Sequence, residues 1–159
     1  MRAVILSDTH GRTLPGDLWR AIERADLVIH AGDWVSLDLV EAMPVPLLGV
    51  HGNNDGDAIR AVLPEVARGT YEGVRVAVVH ETGASAGREK RMDRAFPDTD
   101  LLVFGHSHVP WDTTTPNGLR LLNPGSPTVR RRQPHGTWVE ATFADGAVDV
   151  QWREVTPGT

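Results

Sequence analysis

Five short apolar runs in this chain each lead into a cluster of Asp, His or Asn, and that repeated junction limits the fold more than any other feature. Val4-Ile5-Leu6 leads to Asp8-Thr9-His10, and Leu27-Val28-Ile29 to Gly32-Asp33. Residues 45–50 lead to His51-Gly52-Asn53-Asn54-Asp55-Gly56, and residues 74–79 to His80. Leu101-Leu102-Val103-Phe104 leads to Gly105-His106-Ser107-His108. Runs this short and this branched read as buried strands. In open α/β sheets, side chains just past strand ends face the crevice that holds ligands.

The segments between the runs carry helical spacing. Leu18, Trp19, Ile22 and Ala25 follow Asp17, which reads as a cap; Ser36 reads as the cap of a helix over residues 36–42; residues 57–63 and 86–96 complete the set. Residues 66–71 and 74–79 predict a hairpin around Glu72-Gly73. Beyond His108, short runs at 111–115, 119–122, 137–143 and 148–152, punctuated by Pro and Gly, predict antiparallel strands. The expected chain is therefore βαβ units followed by a β-rich half. Two sheets would pack face to face with helices outside, residues 1–159 would form a single domain, and the polar clusters would meet on one edge.

Composition narrows the chemistry. The net charge of -5 argues against a broad nucleic-acid or membrane surface. With no cysteine, any metal must be held by oxygen and nitrogen. No apolar run approaches the roughly 20 residues of a membrane span. The N-terminus enters a strand directly, with no signal-peptide pattern, so the expected location is cytoplasmic.

Collected past the strands are Asp8, His10, Asp33, Asn53, His80, His106 and His108. Carboxylate, amide and imidazole donors suit Mn²⁺, Fe, Zn²⁺, Ni²⁺ or Co²⁺. The set is too large for one ion with open positions and sufficient for two if one carboxylate bridges. Two ions roughly 3.5–4 Å apart polarise a phosphoryl group and activate a bridging water. Singly, Gly32-Asp33 and Gly52 to Gly56 also read as ordinary turns. His106-Ser107-His108, after a glycine at the end of an apolar strand, resists that reading.

The five elements D-x-H, G-D, G-N, H and G-H-x-H occur here in order from Asp8 to His108. In this the chain resembles the calcineurin-like metallophosphoesterase superfamily. Asn123-Pro124-Gly125-Ser126 is similar to a stretch common in its small prokaryotic single-domain phosphodiesterase branch. The resemblance implies a four-layer α/β/β/α sandwich of two mixed sheets flanked by helices. It implies one metal on Asp8, His10, Asp33 and His108, and another on Asp33, Asn53, His80 and His106, with Asp33 bridging. The implied activity is hydrolysis of phosphoric esters by in-line attack of a metal-bridging hydroxide, on a small phosphodiester before a monoester. The implied cofactors are two divalent ions, Mn²⁺ first among them.

Departures from the better-known relatives refine this. Protein Ser/Thr phosphatases carry a His after the metal-binding Asn, where this chain has Asn54. They carry G-D-x-x-D-R-G, where this chain has Gly32-Asp33-Trp34-Val35-Ser36-Leu37. Both argue against a protein phosphatase. Glu81 follows His80 where relatives usually have Gly, so an acid stands beside the pocket. Asp33, Asn54 and Asp55 are the candidates at the reacting group, with Asn54 and Asp55 orienting Asn53 or touching substrate. Arg131, within Arg130-Arg131-Arg132, is the candidate phosphate contact, while the same run also reads as a solvated loop. His30 reads either as a support for a metal-holding carboxylate or as a half-buried histidine at a strand end, and His51 is a candidate near the leaving group. Trp34, Trp111, Trp138 and Trp152 are expected in the core or an interface, and apolar residues near Trp111 and Trp138 permit a homo-oligomer. The competing reading is a non-catalytic metal-binding scaffold on the same fold, the role of a eukaryotic retromer subunit that resembles this branch. A nuclease is disfavoured by the charge.

Overall fold

Strand β1 (Arg2–Leu6) is buried on both faces, and its alternation decides the layering. Ala3 and Ile5 point into a core shared by two sheets, while Val4 and Leu6 point outward under helix α1 (Gly16–Glu23). Full burial of side chains such as Ile5 and Leu6 contributes roughly 1.5–3 kcal/mol each. The computed structural model describes residues 1–155. The expected single domain over 1–159 therefore extends past the described residues at its last positions.

After β1 and α1 come β2 (Leu27–His30), α2 (Leu37–Glu41), β3 (Leu47–Gly49) and α3 (Asp57–Arg60). The hairpin β4 (Val66–Tyr71) and β5 (Val74–Val79) follows, turning at Glu72-Gly73 as its sequence predicts. Then come α4 (Arg88–Ala95), β6 (Leu101–Val103), β7 (Trp111–Thr114), β8 (Arg120–Asn123), β9 (Thr137–Ala144) and β10 (Ala147–Glu154). Two mixed five-stranded sheets result, ordered β10-β9-β1-β2-β3 and β4-β5-β6-β8-β7. In the first, β1, β2 and β3 are parallel and β9 runs antiparallel to β1. In the second, β5, β6 and β8 are parallel, with antiparallel strands at both edges.

The sheets meet through Ile5, Ile29, Val76, Val78, Val103 and Leu122. Ala77, Leu102 and Phe104 face the other way, against Met92 and Phe96 at the α4 end. This is the α/β/β/α sandwich. Local expectations shift in several places: α3 ends at Arg60 rather than at residue 63, and α4 spans Arg88–Ala95 rather than 86–96. Helix α1 starts one residue before Asp17, with Pro15 at the cap position, and Asp17 accepts from the Leu18 N–H inside the first turn. β3 is shorter than residues 45–50 because Pro44 and Pro46 cannot donate to a ladder; the Pro46 carbonyl still accepts from Val28. Trp34 and Trp138 are buried, so Trp138 offers no surface for an oligomer. Among the described residues no helix is long and apolar enough to cross a membrane.

Candidate metal centre

The parallel strands of both sheets end on the same edge, and each end delivers polar side chains there. Asp8 and His10 follow β1, Asp33 follows β2, Asn53 follows β3, His80 follows β5, and His106 and His108 follow β6. The structure brings these seven side chains together. His10 Nε2 lies 3.1 Å from His108 Nε2, and His108 Nε2 lies 3.4 Å from Asp8 Oδ1. Asn53 Oδ1 lies 2.9 Å from His80 Nε2 and 3.1 Å from His106 Nδ1. Asp33 Oδ2 stands between the groups, 3.7 Å from His10 Nε2 and 3.4 Å from His80 Nε2.

Backbone close approach makes the cluster possible. A Cβ on Gly105 would lie 2.1 Å from Ser7 Oγ and 2.7 Å from Asp8 Oδ2. A Cβ on Gly52 would lie 2.2 Å from Asp33 Oδ1 and 2.5 Å from the Asp33 backbone nitrogen. Only glycine fits at either place.

The donors are oriented from behind. His80 Nδ1 donates to the Ala31 carbonyl at 2.7 Å, and His108 Nδ1 donates to the Val129 carbonyl. Each ring therefore turns Nε2 inward, as a metal-binding imidazole does when its other nitrogen is fixed. Asn54 donates to Asp33 twice, from its backbone nitrogen to Oδ1 at 2.9 Å and from Nδ2 to Oδ2 at 2.8 Å. Burial favours the neutral acid, but the bonds from His80 and Asn54 outweigh it and hold the Asp33 carboxyl well below the usual carboxylate range. Burial likewise opposes charge on His80, yet Asp33, Asp8 and the Ala31 carbonyl raise its pKa. The cluster thus attracts positive charge. His10 is lowered, chiefly by burial, with His108 and the Arg131 guanidinium adding to it against Asp33 and Asp8.

The residues fit a divalent cation. Asp8 is fully buried; its Oδ2 accepts from Ser7 Oγ and the His106 N–H, while its Oδ1 has no hydrogen-bond partner. A buried, unpaired carboxylate oxygen is costly unless a cation satisfies it. Two nitrogens sharing one ion at about 2.1 Å each lie roughly 3.0–3.4 Å apart in octahedral or tetrahedral geometry. The His10–His108 separation of 3.1 Å falls in that range.

The remaining sequence candidates divide. Asn54 is bound to Asp33. Asp55 does not face the reacting group: its Oδ2 accepts from the Asp33 and Gly52 N–H groups and its Oδ1 from the Val35 N–H. His30 is not turned to a carboxylate. Its Nδ1 accepts from the Gly32 N–H at 3.1 Å, so Nε2 donates to Thr9 Oγ1 at 3.1 Å, and the ring stacks on Trp34. Burial holds its pKa well below the ordinary value, so His30 is a neutral brace for the two loops. His51 lines a cleft of about 280 Å³ together with Asn53, His80 and Glu81. Arg131 Nη1 lies 3.5 Å from the His106 carbonyl, beside the cluster.

Sequence reasoning passed over Ser126 and Thr128. Ser126 Oγ donates to the Asp8 carbonyl and Thr128 Oγ1 to the Thr9 carbonyl, each at 2.8 Å, clamping the first loop. The only signal was the Asn123-Pro124-Gly125-Ser126 stretch, in which Asn123 also donates to the Gly105 carbonyl.

A two-sheet sandwich carrying Asp, His and Asn donors at the ends of its parallel strands defines a metal-binding α/β class. Within that class, the chain belongs to the calcineurin-like phosphoesterase superfamily, whose domain profile matches residues 1–146. It is 30% identical over 139 residues to a probable metallophosphoesterase of Methanothermobacter thermautotrophicus, covering 80% of this chain and 77% of the relative. Two solved structures share the fold. Vps29 of Entamoeba histolytica, complexed with Zn²⁺, has a TM-score of 0.74 at 17% identity, with 97% of this chain and 99% of that one covered. An archaeal phosphodiesterase has a TM-score of 0.71 at 19% identity, with 96% and 100% covered.

Proposed function

We propose that this chain is a dinuclear metal-dependent phosphoesterase acting on a small phosphodiester, with residues 1–159 as one catalytic unit. The observation that carries the reading is the buried, unpartnered Asp8 Oδ1 facing His10, His80 and His108. We assign Asp8, His10, Asp33 and His108 to one ion and Asp33, Asn53, His80 and His106 to the other. Mn²⁺ is the first choice for such oxygen and nitrogen donors, with Fe, Zn²⁺, Ni²⁺ and Co²⁺ as alternatives. When bound, two such ions supply Lewis acidity at the phosphoryl oxygens and a nucleophile at neutral pH.

The chain's own residues do the rest. Asn54 keeps Asp33 charged and fixed between the two donor groups. His80 and His108 present Nε2 because carbonyls hold their Nδ1 protons. Arg131, at the rim beside His106 and His10, orients the phosphate, and the cleft beside Asn53 and His51 receives one ester arm. A diester brings one negative charge and a monoester up to about two, and Arg131 is the guanidinium whose charge reaches the cluster. That balance favours the diester, and the archaeal phosphodiesterase of the same fold makes it the first substrate to test. A scaffold would be favoured by missing donors, and all seven are present.

The test is hydrolysis of a chromogenic phosphodiester and the matching monoester by chelated enzyme with Mn²⁺ added back, alongside Asp33→Asn and His108→Ala. Metal-dependent diester cleavage abolished in both variants is the expected result. A protein that binds metal yet turns over neither ester with any of the five ions would establish the scaffold instead.

A further inference from the structure

The two donor groups differ in what carries their negative charge. Asp8 Oδ1 leans toward the first group, 3.4 Å from His108 Nε2 and 3.9 Å from His10 Nε2, with His80 Nε2 at 4.0 Å. Asp33 is shared, with Oδ2 3.7 Å from His10 Nε2 and 3.4 Å from His80 Nε2. Around Asn53 Oδ1 the remaining donors are imidazoles at 2.9 and 3.1 Å, neutral when they ligate. That position would hold a divalent ion with only a shared carboxylate.

Glu81 fills the gap. It is the first residue after His80, whose side chain turns inward to the Ala31 carbonyl. Glu81 Oε1 lies 3.4 Å from His106 Nδ1, the nitrogen that also faces Asn53 Oδ1. One donor atom each from His80, Glu81 and His106 fall within 4.8 Å of one another. The Glu81 side chain is half exposed and makes no other salt bridge among the described residues, so it is free to turn onto an ion.

We propose that Glu81 is a ligand of the second ion, giving that position a carboxylate of its own as Asp8 does for the first. This inference rests on the dinuclear reading above. An added hard oxygen strengthens the second position and shifts its preference toward Mn²⁺ relative to Zn²⁺. The alternative is a surface acid that meets His106 and no metal.

Calorimetric titration of Mn²⁺ into chelated full-length protein separates these, using wild type, Glu81→Ala and Glu81→Gln. Removing even an outer partner of a metal ligand costs about 10–100-fold in affinity. The expected result is two ions in wild type, a second ion weakened at least about tenfold in Glu81→Ala, less in Glu81→Gln, and an unchanged first ion. The same titration with Zn²⁺ should show a smaller loss; an equal loss with both ions would mark Glu81 as an outer partner of His106 and overturn the inference. Two ions at wild-type affinity in both variants would overturn the inference while leaving the dinuclear reading intact, even if turnover fell. Fewer than two ions in wild type would overturn both. Circular dichroism checks that the variants fold, as a half-exposed site predicts.

Discussion

Asp55→Asn tests whether this carboxylate works through substrate or through the backbone. Asp55 is 4% exposed, and its oxygens accept three backbone N–H groups: Gly52 at 2.7 Å, Asp33 at 3.0 Å and Val35 at 2.7 Å. These bonds join the loop after β2 to the loop after β3, and so fix Asp33 against Asn53. An asparagine has one acceptor oxygen. Its best placement serves Gly52 and Asp33 and turns NH₂ against the Val35 N–H. Two charge-assisted bonds become neutral, at about 1 kcal/mol each, and one part-buried donor loses its partner, at about 1–3 kcal/mol. The sum is roughly 3–5 kcal/mol, a large share of the about 5–15 kcal/mol that folds a domain. At about 2–4 °C per kcal/mol for this size, the metal-free variant should melt about 6–20 °C lower. Thermal and urea unfolding in excess chelator measure this without any contribution from bound metal. An unfolding free energy within about 0.5 kcal/mol of wild type would refute the backbone role and return Asp55 to the substrate.

The other predictions concern the metal and the scaffold around it. Mn²⁺ at about 100 times its dissociation constant should stabilise the chelated protein by about 2.7 kcal/mol per ion, read as a melting rise of about 5–11 °C; no rise with any divalent ion would remove the metal centre. Ser126→Ala deletes a buried hydroxyl that holds the Asp8 carbonyl and accepts from the Val129 N–H at 2.8 Å. It should cost about 1–3 kcal/mol and weaken Mn²⁺ binding about tenfold, both measured on one preparation. Arg88 lies 4.8 Å from the Phe104 ring and 4.6 Å from the Trp111 ring, with Nε donating to Thr82. Arg88→Met should lower stability by about 1–3 kcal/mol and leave Mn²⁺ affinity unchanged, since the stack lies on the α4 face.

The elements legible in the sequence are those whose own residues are sufficient to specify them. β1, β2 and β6 are buried on both faces, so each reads as an unbroken apolar run. Glu72-Gly73 specifies its hairpin through two left-handed residues. The C-terminal hairpin is different. β9 and β10 alternate as strands should, but nothing in Thr137 to Glu154 shows that β9 crosses back to pair with β1, where Ala3 meets Ala141 and Ile5 meets Val139. Sheet membership is decided by long-range packing, which periodicity does not encode.

The same division runs through the site. Donor types are legible because the proposed divalent-ion chemistry demands them; how the backbone presents them is not. Asp8, His10, Asp33, His106 and His108 all have positive φ, from 50° to 73°. Left-handed backbone costs an L-residue about 1–2 kcal/mol, and glycine, which would avoid that cost, has no donor to offer. Asp and His tolerate that conformation better than most residues, yet five together still carry strain that is a sizeable fraction of the stability of a domain. Side-chain to backbone bonds from Asp55, His30, Ser126 and Thr128 must offset it, and each of these lands on the loops that hold Asp8, His10 and Asp33. A search for donors finds Asp8 and His10 by residue type and passes over Ser126, whose hydroxyl is common everywhere and acquires its task only when residues 118 positions apart in the chain are folded together.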